Sequence, residues 1–218
     1  MAKARAYNLT DDVALLVHLI SRRVERLSHI QTGRILHGVS QARNRSKYGV
    51  YAQCFGLRFK DGERYQSSSD GHHWEWPEIR VRGQEMMYYI TYFLPRFMDQ
   101  PPKERLNTLV HELYHISPHF NGDLRRFPGR NEYHGPHFEK VVVDMVKEIQ
   151  PQFEMDRFPF LVYSFDELVE KFGGVVGNKL RRFKPRRVKV EDTQPNQADS
   201  VDKQRKLLFQ PDSPHRLR

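Results

Sequence analysis

The sequence predicts an α+β domain over about residues 1–172, with a small, mostly antiparallel sheet, and a basic, largely disordered extension over 173–218. Three observations carry this. Segments with helical periodicity flank a central stretch rich in aromatic and β-favouring residues. The balance of 38% hydrophobic, 12% aromatic and 29% charged residues is that of an ordinary globular chain, so wholesale disorder is excluded. Finally, the charge is unevenly placed. Residues 1–170 carry 23 Lys and Arg against 22 Asp and Glu, whereas residues 171–218 carry 13 against 5. Of the net charge of +9, +8 therefore belongs to the tail.

Residues 10–28 read as an amphipathic helix. Thr10 is the expected N-cap, and Asp11 and Asp12 suit the positive end of the helix dipole. Val13, Leu16, Val17, Ile20, Val24 and Leu27 form one apolar stripe, with Arg22, Arg23 and Arg26 on a solvated face. Gly33 and Gly38 punctuate a short segment from Arg34 to Val39. Residues 50–59 read as a strand, closed by a turn at Asp61-Gly62. Residues 66–73 read as a surface loop. A second strand-rich region runs from Ile79 to about Phe97, broken at Gly83, with Met87 to Leu94 its most strand-like part.

Pro101-Pro102 closes the strands, and Lys103 to Ile116 reads as a helix seated by Leu106, Leu109, Val110 and Leu113 and ended by Pro118. Residues 117–134 read as a long polar loop. A third helix runs from His137 to Gln150, with Phe138, Val141, Val142, Met145 and Ile149 inward and Pro151 as its stop. A short helix follows at Phe165 to Phe172, and beyond about residue 184 the chain is polar and Pro-spotted.

The single cysteine, Cys54, excludes a disulfide framework and any Cys-based zinc finger or ribbon. No apolar run approaches the roughly 20 residues that span a bilayer. The first residues lack a signal-peptide core. The expectation is a cytoplasmic chain that does not engage a membrane.

The chemistry lies in His111-Glu112-Leu113-Tyr114-His115, an HExxH on the second helix. Positions i and i+4 share a helix face, so the two imidazoles can bind one Zn2+. Glu112, beside the first ligand, can take a proton from the attacking water and pass it to a leaving amine. Shuffling this composition would give only about 0.035 such matches. The competing reading is two ordinary helix histidines and a surface glutamate.

A catalytic zinc needs a third protein ligand. The HExxHxxGxxH arrangement is excluded, because Pro118 and Asn121 stand where Gly and His would be required. Glu132 precedes the third helix, and Glu139 is the other acidic candidate. His119 is separated from His115 by the break at Ser117-Pro118. His134 and His137, at the mouth of the third helix, remain.

An HExxH helix, a variable polar loop and then His134-Gly135-Pro136-His137-Phe138 resembles the SprT-like zinc metallopeptidases, the Spartan/SprT group that includes phage metallopeptidases. The resemblance implies a zincin-like fold, His111, His115 and His134 as zinc ligands, and Glu112 as the catalytic acid/base. It implies Gly135 and Phe138 as loop and core positions. It also implies that an edge strand before the HExxH helix, here Met87 to Leu94, pairs with an extended substrate. The specific motifs span 111–138. The Cys-rich ribbon common in that group is absent, and so are Spartan's partner-binding motifs.

Lesser features complete the reading. His72-His73 with Trp74 and Trp76 reads as a loop over packed aromatics, or as a metal or groove site. Tyr114 is expected in the core. Tyr133 and Tyr163 are candidate oxyanion donors. Residues 179–189 hold seven Lys and Arg in eleven positions, with Phe183 placed to stack on a base. The expected function is zinc-dependent endoproteolysis of a protein or peptide substrate, with nonspecific DNA contact through 179–189. Such contact would make the chain nucleoid-associated or nuclear. The alternative is a nucleic-acid-binding protein whose zinc site is structural or degenerate. Nothing in the sequence indicates an oligomeric state.

Overall fold

The computed structural model describes residues 6–149 and 155–189. Residues 1–5, the helix stop at Pro151 and residues 190–218 lie outside the described residues. The architecture is α+β, with several small sheets packed among helices.

Strand β1 (Tyr7–Asn8) leads into helix α1 (Leu9–Arg23). The N-cap is Asn8, not Thr10: its side chain accepts the Asp11 N–H. Thr10 instead lies inside the first turn, where its hydroxyl oxygen accepts the Asn178 N–H at 3.2 Å. The helix stops at Arg23, and a 3-10 turn over Glu25–Leu27 carries the apolar stripe onward. All six stripe residues are buried, while Arg22, Arg23 and Arg26 are exposed.

The central sheet has the order β2-β8-β3, with β2 at Ile35–Gln41, β3 at Ala52–Gly56 and β8 at Tyr88–Leu94. β3 pairs antiparallel to β8, from Ala52 opposite Tyr92 to Gly56 opposite Tyr88. β2 pairs parallel to β8 over seven residues, so this sheet is mixed. Alternation along the strands separates two faces. Tyr88, Ile90 and Tyr92 join Ala52, Cys54 and the helices in the main core. Tyr89, Phe55 and Leu36 point the other way, into a second cluster with Leu57 and Met86.

Between β3 and β8 the chain forms two hairpins. Asp61 and Gly62 take the expected turn, both at positive φ. Residues 66–73, expected as a loop, belong to a hairpin of β4 (Tyr65–Ser67) and β5 (His73–Glu75). β6 (Arg80–Val81) and β7 (Gln84–Glu85) turn at Arg82-Gly83.

Helix α2 (Pro102–Tyr114) starts on a proline, which suits a first turn whose N–H has no helical acceptor. Leu106, Leu109, Val110 and Leu113 are all buried. Arg105 is buried too: its guanidinium donates to the Gln100, Phe160 and Tyr163 carbonyls at 2.7, 2.7 and 2.5 Å. That ties α2 to the helices that follow α3 (Phe138–Ile149), namely α4 (Pro159–Val162) and α5 (Phe165–Phe172). α5 has the expected bounds, set by a Ser164/Glu167 capping box and by Gly173 in the left-handed region.

Residues 173–189 are not a disordered extension. β9 (Val175–Val176) pairs with β1, and β10 (Arg186–Val188) adds to the β4–β5 hairpin. Leu180 and Phe183 pack on the second cluster. The physical reason is complementarity that composition does not reveal. Buried Glu75 sits between Arg64 and Arg186, each at 2.8 Å, so part of the basic stretch is neutralised by the body. Among the described residues, no helix is long and apolar enough to cross a membrane.

Candidate metal centre

α2 carries His111 and His115 one turn apart, with His115 as the residue that caps its C-terminus. The third imidazole comes from the loop between α2 and α3. That loop is tied down rather than free. Ile116 bridges to Leu124, and the Arg125 N–H donates to the His115 carbonyl at 2.6 Å. The Arg125 guanidinium lies 4.2 Å from the Tyr114 ring centre and donates to the Tyr114 carbonyl at 2.7 Å. The Tyr88 hydroxyl donates to the Asp123 carbonyl and accepts the Gly122 N–H. Near the end of the loop, a Cβ on Gly135 would lie 2.6 Å from the Phe127 ring, so only glycine allows this approach.

The result is convergence. His115 Nε2 and His134 Nε2 lie 3.1 and 3.2 Å from His111 Nε2, and ligand atoms of the three lie within 4.8 Å of one another. Phe138, the first residue of α3, is the floor beneath them. Its ring centre is 4.9, 4.9 and 4.8 Å from those of His111, His115 and His134.

The donor set fits a metal ion. Nitrogens about 2.0–2.1 Å from a tetrahedral zinc stand about 3.3–3.4 Å apart, close to the spacing found here. Three Nε2 atoms facing one another cannot satisfy themselves, because each contact needs one N–H and one lone pair. One shared cation accepts all three lone pairs. Burial lowers the pKa of His111 and takes that of His115 to about 3, which favours the neutral, metal-binding form. Glu139 Oε1 faces His111 Nδ1 at 3.5 Å, on the side away from the other imidazoles' Nε2 atoms. A carboxylate there fixes a ligand's tautomer.

Glu112 is buried, and burial pushes its carboxyl up to about 7, opposed by one hydrogen bond. That bond is the Cys54 N–H of β3, donated to Oε2 at 2.6 Å. No described residue bonds to Oε1. A carboxyl that titrates near neutrality suits proton transfer in both directions.

The other candidates separate clearly. His119 and His137 are exposed and stand outside the three-histidine group. Glu132 is paired with Arg126 at 2.5 Å. Tyr163 bonds Lys171, and Tyr133 sits under the Arg126 guanidinium. His73 bonds Ser67 within its hairpin, and Trp76 packs near Phe59. Phe183 is half-buried and meets Tyr89 edge-on at 5.1 Å. The strand at Tyr88–Leu94 is not an edge: β2 and β3 bond it on both sides, and the strand beside α2 with a free side is β3. Glu139 was weighed in the sequence only as a ligand. Its i+5 offset from His134 gave no signal for the outer-face role it takes.

Compared with protein-family models, curated proteins and solved structures, the chain matches none, and the three converging imidazoles stand as a group able to hold a metal ion.

Proposed function

We propose that the chain is a zinc-dependent endopeptidase of the SprT-like kind, with His111, His115 and His134 holding the metal and Glu112 acting as general base and acid. The observation that carries this is the convergence of three Nε2 atoms on one point, with a glutamate of raised pKa next in the chain to the first of them. When bound, zinc polarises the scissile carbonyl and lowers the pKa of water at its open position toward about 7.

The chain's own residues do the rest. Glu112 Oε2 is held by the Cys54 N–H, which fixes the carboxylate and leaves Oε1 to take the proton. It removes a proton from the attacking water as the O–C bond forms. It returns that proton to the amine nitrogen as the C–N bond breaks. Glu139 holds His111 in the tautomer whose Nε2 lone pair points inward. Phe138 excludes water from below the site.

Two variants test the reading. Zinc content by mass spectrometry is expected at about one per chain in the wild type and sharply reduced in His134→Ala. Glu112→Gln is expected to keep its zinc while cleavage of denatured casein falls by at least about 100-fold. Cleavage that survives Glu112→Gln, or a zinc-free wild type with an intact fold, would sink the proposal.

A further inference from the structure

A cavity of about 690 Å3 opens at the β3 edge, on the face of the sheet away from the helices. Its walls are aromatic. Phe55 and Tyr89 stack at 4.5 Å, Phe183 closes on Tyr89, and Trp74 and Trp76 complete the lining. The volume falls in the range of about 300–1,000 Å3 common for ligand sites, large enough for a short peptide segment.

Two features tie this cavity to the metal centre. Phe55 follows Cys54, whose N–H holds Glu112, and Tyr133 precedes His134, so two lining residues are each one residue from the site. Main-chain donors at and just beyond β3 are also partly taken up. The Cys54 N–H is spent on Glu112, and the Arg58 N–H donates to the Gly122 carbonyl. A Cβ on Gly56 would lie 2.2 Å from that same carbonyl oxygen. Side chains around the cavity therefore add selection to the main-chain pairing that the β3 edge still offers.

The charges define the occupant further. Two lining guanidiniums are already neutralised, Arg58 by Glu85 and Arg126 by Asp123 and Glu132. Lys60, Arg182 and Lys184 are exposed and have no ion pair among the described residues. A phosphate chain is held by several unpaired cations that track its backbone. Here the interior is charge-balanced and includes the Asp123 carboxylate, and only these three lining cations are unpaired. That favours one buried ring with a carboxylate beside it.

We propose that this cavity is a specificity subsite that takes an aromatic side chain of the substrate peptide, with Lys60, Arg182 and Lys184 drawing an adjacent acidic residue. The proposal rests on the peptidase reading, and binding tests it separately from cleavage. The full zinc-loaded chain carrying Glu112→Gln would be titrated with fluorescein-labelled Gly-Gly-Phe-Asp-Gly-Gly. Versions with Gly for Phe and Lys for Asp, and a labelled dT hexamer, complete the set. The Phe-Asp peptide is expected to bind at least about tenfold more tightly than either version. The advantage of Asp is expected to vanish in Arg182→Glu/Lys184→Glu, whose changes lie on exposed side chains. Equal binding of all three peptides, with casein still cut by the wild type, overturns the subsite and leaves the peptidase reading standing. A dT hexamer that outcompetes every peptide overturns it in favour of nucleic acid. Peptide preference with no cleavage by the wild type overturns the peptidase reading, and with it the substrate role.

Discussion

Phe138 is 2% exposed, and its ring lies within 5 Å of three imidazoles, so one side chain serves both packing and chemistry. Phe138→Ala is expected to cost about 3–5 kcal/mol in urea unfolding of the metal-free chain and to lower zinc retention as well. Glu139 acts at longer reach and is largely exposed, so Glu139→Ala is expected to weaken zinc binding by about tenfold, read by competition with a chelator dye, without a change in stability. His37 gives a pH signature. It is buried, with Nδ1 3.2 Å from the Tyr92 hydroxyl, and burial lowers its pKa to about 4. An unfolded chain takes up this proton below about pH 6.5, but the folded chain does not until about pH 4. Stability present above pH 6.5 is therefore lost as the pH falls to about 4, by on the order of 3 kcal/mol. Unfolding at pH 7 and pH 4.5 checks this: His37→Gln should show a visibly shallower acid loss than the wild type.

At the scale of elements, the loop from α2 to α3 is a brace rather than a lid. Its hydrogen bonds to His115 and Tyr114 occupy carbonyls that a helix C-terminus leaves unsatisfied. Arg125→Ala is expected to cost about 1.5–3 kcal/mol, because it removes a charged donor from a partly buried carbonyl, and to loosen His115. Guanidine unfolding and zinc titration of that variant read the two effects. The helices themselves were legible. Val13 to Leu27, Leu106 to Leu113 and Phe138 to Ile149 have apolar positions at a spacing that only a helix turns to one side. Caps were less legible: Asn8 rather than Thr10 starts α1, since both are good cap residues and the choice depends on where Thr10 finds Asn178, 168 positions away.

For the molecule as a whole, the last described segment closes the structure. β9 and β10 pair with β1 and β5, and Leu180 and Phe183 cover the second cluster. A chain ending at Phe172 is expected to expose Leu36, Phe55 and Tyr89, bind a hydrophobic dye and lose cooperative unfolding, in contrast to the full chain. A metal held by the three histidines would act on the same scale, because it would join α2 to the loop carrying His134. Chelation is expected to lower the melting temperature by several degrees and to leave the fold in place, since the core around α1 and the central sheet contains none of the three histidines.

The sequence by itself determined the helices, the strand at Tyr88–Leu94, the turn at Asp61-Gly62, the break at Gly83, and the pair His111 and His115. Each is a local pattern, set by residues within a few positions of one another. Residue types and spacing narrowed the third imidazole to His134 or His137, and the resemblance of His134-Gly135-Pro136-His137-Phe138 to the SprT-like motif pointed to His134. Only the tertiary structure brought His134 into the group, placed β8 at the centre of its sheet, drew Glu139 to His111, buried Arg105 against α4 and folded residues 173–189 onto the body. Those outcomes depend on contacts between residues 23 to 168 positions apart. No local pattern encodes them, because the energy that selects them comes from surfaces that exist only once the chain has folded.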